Sequence, residues 1–105
     1  MAWVVLFVGG LFEVVWAYAM KQSHGFTRFW ASMIAVTGVI LSLGLLSWSM
    51  RTLPLGTAYM VWTGIGAIGA FAVGIVILGE PANAMRLVSA LLILSGLVMM
   101  KLATP

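Results

Sequence analysis

Four apolar stretches take up most of this 105-residue chain: Trp3 to Met20, Trp30 to Met50, Thr57 to Leu78 and Leu87 to Leu102. At a rise of about 1.5 Å per residue, each is long enough to cross a hydrocarbon core of roughly 30 Å as a helix. Charged residues make up 7% of the sequence, against about 25% in a soluble domain, so water does not surround most of this surface. The intervening segments, Lys21 to Phe29, Arg51 to Gly56 and Gly79 to Arg86, carry the turn signals His24-Gly25, Leu53-Pro54-Leu55-Gly56 and Glu80-Pro81-Ala82-Asn83. Connections this short make consecutive helices antiparallel neighbours. The expected fold is an all-α membrane protein, a single four-helix transmembrane domain over 1–105, with neither a second domain nor an internal repeat.

The five cations, Lys21, Arg28, Arg51, Arg86 and Lys101, all stand at ends of apolar runs, where long side chains reach the headgroups. They form no basic face, so nucleic acid is not an expected partner. Four crossings place Arg51 and Lys101 on one side and Lys21, Arg28 and Arg86 on the other. Orientation follows the Lys/Arg excess in short loops, and three against two is almost no excess. The chain is therefore expected to insert both ways and to pair as an antiparallel (dual-topology) homodimer, supplying the inverted symmetry that alternating-access transporters commonly build from repeats. Met1 to Met20 lacks the pattern of a cleaved signal peptide and is expected to be retained as a span. The sequence has no Cys, which excludes disulfides, thiolate metal sites and thiol catalysis. With no metal-ligand cluster, phosphate loop or nucleophile with its base, neither an enzyme activity nor a cofactor or metal is expected.

Glu13 is the exception within the spans. A carboxylate about ten residues into a helix lies near mid-bilayer, where an ionisable group costs about 2.5 to 3.5 kcal/mol on the lenient insertion scale and normally faces an interior cavity. A proton or cation site is the generic expectation. Gly9, Gly10, Trp16 and Ala17 share its face at spacings of three and four, so small residues admit a neighbour and Trp16 offers an aromatic wall. Ser42 matches its depth from the second helix, in a small polar stripe with Ser32, Ala35 and Ser49, and its hydroxyl is a candidate hydrogen-bond partner for the carboxylate. Tyr59 and Trp62 share one face of the third helix. Gly64 and Gly66 remove bulk within one turn, as at helix bends, and Gly66, Ala70 and Gly74 form a small-residue ridge. Ser89 and Gly96 on the fourth helix are spaced as a dimer seam. His24 and Glu80 read as solvated loop residues.

The motifs Phe12-Glu13-Val14-Val15-Trp16-Ala17, His24-Gly25-Phe26-Thr27-Arg28, Leu53-Pro54-Leu55-Gly56-Thr57-Ala58-Tyr59 and Val61-Trp62-Thr63-Gly64-Ile65-Gly66 resemble those of the small multidrug resistance family of bacterial transporters over essentially the whole chain. Trp16, Ser42, Thr63 and Lys101 resemble the guanidinium-exporter subtype; the exporters of quaternary ammonium drugs carry a small residue at the Trp16 position. Met60 departs from the alanine usual in that subtype. The resemblance implies a multi-pass protein of the bacterial inner membrane, an antiparallel homodimer that exchanges guanidinium-type cations for protons. It further implies that Glu13 binds proton and substrate with Trp16, Ser42, Tyr59 and Trp62 around it, and that Gly64 and Gly66 permit bending.

The resulting expectation is a proton-coupled antiporter in which protons and a planar guanidinium compete for Glu13 in a site shared by two subunits. The fork of N–H donors on a guanidinium matches carboxylate geometry. The alternatives are a broad exporter of quaternary ammonium ions, one half of a heterodimer, and a passive cation channel or membrane assembly subunit.

Overall fold

In the computed structural model, which describes residues 1–104, the chain folds into four α-helices: α1 (Ala2–Gln22), α2 (Phe29–Ser49), α3 (Leu55–Val76) and α4 (Ala84–Ala103). All four are long and apolar enough to cross a membrane. Two boundaries differ from a reading of apolar runs for identifiable reasons. α3 begins at Leu55 because Pro54, with φ −60° and ψ 150°, occupies its N-cap, a position where the missing N–H costs nothing. α4 begins a turn before Leu87 because the Asn83 side chain accepts a 3.0 Å hydrogen bond from the Arg86 amide, capping a turn of mixed polarity.

α1 is the central helix. It packs against both α2 and α3, α2 and α3 touch only slightly, and the backbone of α4 approaches α3 alone among the described residues. The result is a flat body with Cα extents of 43 × 34 × 17 Å. Its core gathers Leu6, Leu46, Ala58, Val61 and Trp62, with Trp3, Ile65, Leu97 and Met100 packed around them. No residue of α4 is buried.

Glycines decide how closely α1 approaches its two neighbours, because there is no hydrophobic driving force between helices in lipid and close van der Waals contact has to supply the association. A Cβ at Gly10 would stand 2.8 Å from the Cβ of Ile65 in α3, and one at Gly38 of α2 would stand 2.8 Å from the Cβ of Trp16. Both are closer than real side chains tolerate.

The two corners on the far side from the termini are built differently. Between α1 and α2, the fully buried Ser23 donates its hydroxyl to the Met20 carbonyl at 2.7 Å and accepts from the Phe26 amide at 3.0 Å. Its carbonyl accepts from the amides of Thr27 and Arg28. This network holds His24, Gly25 and Phe26 at φ 49°, 72° and 67°, a left-handed run unusual for residues other than glycine. Between α3 and α4, Gly79 turns the chain at φ 70°. Glu80 then folds back so that its amide donates to the Gly74 carbonyl at 3.0 Å, while its carboxylate pairs with Arg86 at 3.3 Å.

Candidate functional site

Glu13 lies at the middle of α1, half-buried, and its side chain runs against the backbone of α3 at Gly66, where a Cβ would collide with the carboxylate. Its Oε2 is buried and has no hydrogen-bond partner among the described residues. The indole N–H of Trp16, one turn further along α1, is likewise buried and without a partner. Trp16 reaches the interior because Gly38 of α2 lets its Cβ come close. An acceptor and a donor, both withdrawn from water and neither paired, therefore stand three residues apart on one helix. Leaving such groups unsatisfied is costly, so this is where the fold spends stability on something other than its own cohesion.

Beside them runs a satisfied network. The indole N–H of Trp62 donates to the Ser42 hydroxyl at 2.9 Å, and that hydroxyl donates to the Gly9 carbonyl at 2.7 Å. Ser42 is fully buried and Trp62 nearly so. The chain ties α3 to α2 and α2 to α1 at the depth of the carboxylate. It also corrects one expectation: the Ser42 hydroxyl is engaged by Gly9 and Trp62 and not by Glu13. Gly9 has no side chain to crowd α2 at this point: a Cβ there would stand 3.3 Å from the Cβ of Leu45, tighter than most real contacts, and in ordinary contact with the Ser42 carbonyl and the Trp62 ring. Tyr59 stacks beside Trp62, ring centroids 5.7 Å apart and tilted by 44°, with about half of its surface exposed.

Gly64 and Gly66 look in opposite directions. A Cβ on Gly64 would meet Leu97 of α4, whereas one on Gly66 would meet Glu13 of α1. Within the residues expected to form a ridge, Gly66 faces Glu13 but Gly74 faces the Glu80 carboxylate, a residue of its own following loop. Ser89 and Gly96 are exposed; nothing lies within 4 Å of a Cβ at Gly96, and the Ser89 hydroxyl donates back to the Met85 carbonyl at 2.8 Å. Both line the groove between α3 and α4. Cavities of about 260 and 390 Å³ adjoin there at Ala67 and Ile93, one containing Ser89 and Phe71, the other Gly96, Tyr59, Met60 and Thr63. His24 is exposed. Glu80, expected as a solvated loop residue, is exposed but has Arg86 as a specific partner, and that guanidinium also lies 5.4 Å from the centroid of the Phe71 ring.

The roles of Gly38 and of the Gly9 carbonyl escape a reading of the sequence, although Gly38 stands one turn before Ser42 and so on its face. Among the described residues no group of three His, Cys, Asp or Glu could hold a metal ion.

Four membrane-crossing helices around a mid-span carboxylate define a small multi-pass membrane protein organised about an intramembrane acid. Residues 1–93 match the family described as "Small Multidrug Resistance protein", and the chain belongs to this family of membrane transporters. A protein named "Guanidinium exporter" from Escherichia coli O6:H1 is 57% identical over 104 residues, 99% of each chain. Proteins of the same name from Escherichia coli K12 and Salmonella typhimurium are 56% and 55% identical over the same share of both chains. The chain is a multi-pass protein of the bacterial inner membrane, as its four apolar helices and its family together require.

Proposed function

We propose that this chain is a proton-coupled antiporter that exports guanidinium-type small cations, with protons and substrate competing for Glu13. The observation that carries the reading is the pair of unsatisfied groups at mid-span, the Glu13 carboxylate oxygen and the Trp16 indole N–H. A planar guanidinium presents several N–H donors in a fixed fork, suited to a carboxylate, and its faces suit aromatic walls. Trp16 and Trp62, with Tyr59 at the edge, bound the cation; Ser42 holds Trp62 by its N–H. A proton satisfies the same carboxylate, so each site holds one or the other, and proton influx drives export. The names of the relatives agree with the choice of cation.

The whole chain acts as one four-helix unit, and the working assembly is an antiparallel homodimer. A flat subunit with Tyr59 and Thr63 open on one face encloses a substrate only when a second copy closes that face. The groove between α3 and α4, in which Ser89 and Gly96 stand exposed, is the seam on which the partner's α4 packs. A central Glu13 stays central when a subunit is inverted, so two carboxylates share one cavity. α3 bends at Gly64 and Gly66 as access alternates.

The deciding experiment uses purified protein in sealed vesicles carrying an internal pH dye, exposed in turn to guanidinium and to a bulky quaternary ammonium ion. Guanidinium alone should move protons in exchange. Guanidinium flux without proton movement would identify a channel, and equal exchange of both cations would make the protein a broad multidrug exporter; either sinks the proposal.

A further inference from the structure

A second cleft opens on the opposite side of α3, between α1 and α4. It has a volume of about 290 Å³ and is lined by Trp3, Phe7, Ile65, Leu94, Val98 and Lys101, among others. The backbones of α1 and α4 make no close approach among the described residues, so side chains alone border it and nothing in the subunit fills it. Its wall is apolar along its length except at one end, where the Lys101 ammonium sits 4.7 Å above the Trp3 ring. The ring engages one side of the ammonium, which has three N–H donors and so keeps others for a second partner.

The dimensions choose between occupants. From Lys101 to Leu94 the helix rises about 10 Å, which is within the roughly 15 Å depth of one leaflet and far short of the roughly 30 Å that a packed transmembrane helix would need. A slot that is charged at the membrane surface, apolar below it and confined to one leaflet has the form of a lipid, and its charge selects an anionic one. We infer that the α1–α4 cleft binds a single anionic phospholipid, with the phosphate on Lys101 and one acyl chain between Phe7 and Val98. Bound there, the lipid bridges α4 to α1, which α4 otherwise reaches only through side chains.

The test is native mass spectrometry of the full-length protein released from detergent with phosphatidylglycerol and phosphatidylcholine of identical acyl chains. The wild type should retain phosphatidylglycerol with about a fivefold preference, the increment expected of one lysine at a charged membrane surface. Lys101→Gln should bring the preference to parity, whereas Arg51→Gln, which removes a cation on the same membrane face but outside the cleft, should leave it intact. Val98→Trp, which fills the slot, should lower retention of both lipids. An unchanged preference in Lys101→Gln, an equal loss in Arg51→Gln, or full retention in Val98→Trp would each overturn the inference. So would lipid lost on dimerisation, which would give the cleft to the second copy.

Discussion

α4 and α1 are close in length and alike in hydropathy, yet they stand in opposite relations to the rest of the molecule. α1 buries Leu6, Gly9, Gly10 and Ala19 and touches two helices; α4 buries nothing. The difference lies in what their small residues face. A Cβ on Gly10 would press into Ile65, whereas a Cβ on Gly96 would meet open space. Apolar character brings both helices into the bilayer, and small residues then decide what happens there. Small residues that are already matched build the subunit, whereas Gly96, on a helix with no fully buried residue, is left open.

The sharpest way to break this contrast is at the carboxylate. Glu13→Gln keeps the shape of the side chain and removes its charge, and should reduce guanidinium-driven proton movement in vesicles to background while the dimer remains assembled; retained coupling would remove Glu13 from the mechanism. Next in size is the comparison within α3. Gly66→Ala sets a methyl group against the Glu13 carboxylate and should lower transport about tenfold or more, equivalent to about 1.4 kcal/mol. Gly64→Ala presses on the Leu97 side chain of α4, away from Glu13, and should cost transport less than about threefold on the same scale. Equal effects would mean that bending, and not the fit around Glu13, governs both positions. Ser42→Ala deprives Trp62 and the Gly9 carbonyl of their partner, and unfolding in mixed micelles should register a loss of about 1 to 2 kcal/mol, two hydrogen bonds of the strength found inside bilayers. Last is the contrast between α1 and α4 themselves. Gly10→Ala should destabilise the subunit by about 1 to 3 kcal/mol through overpacking, and Gly96→Ala should leave it within about 0.5 kcal/mol. Gly96→Leu, tested by crosslinking, should weaken dimer formation without harming the fold.

The number and placement of the helices were legible because apolar runs of about twenty residues admit few other structures in a bilayer. Glu13 was legible for the same reason, as a charge where charge is expensive. What the spacing could not give was direction. Glycines 64 and 66 read alike as small residues on one turn, but a helix rotates by about 100° per residue, so two positions apart they face α4 and α1. Likewise, Ser42 matched the depth of Glu13, and depth does not fix the azimuth of a hydroxyl, which donates its hydrogen bond to the Gly9 carbonyl. Backbone acceptors carry no letter in the sequence. The early start of α4 at Ala84 was hidden because an Asn cap acts through geometry and not through hydropathy.

The corner around Ser23 has a kinetic consequence. Its hydrogen bonds hold three successive left-handed residues, so bending there would have to break several contacts together. α1 and α2 are therefore joined stiffly at this end. By contrast, the α3–α4 elbow is held by the Glu80 amide on the Gly74 carbonyl and by an exposed ion pair between Glu80 and Arg86, the latter a contact that typically contributes about 0 to 1 kcal/mol. The α3–α4 elbow is therefore the looser of these two corners, and hydrogen exchange should find the amides of Phe26, Thr27 and Arg28 slower than that of Glu80, so that a stiff joint and a loose one lie at the same membrane surface.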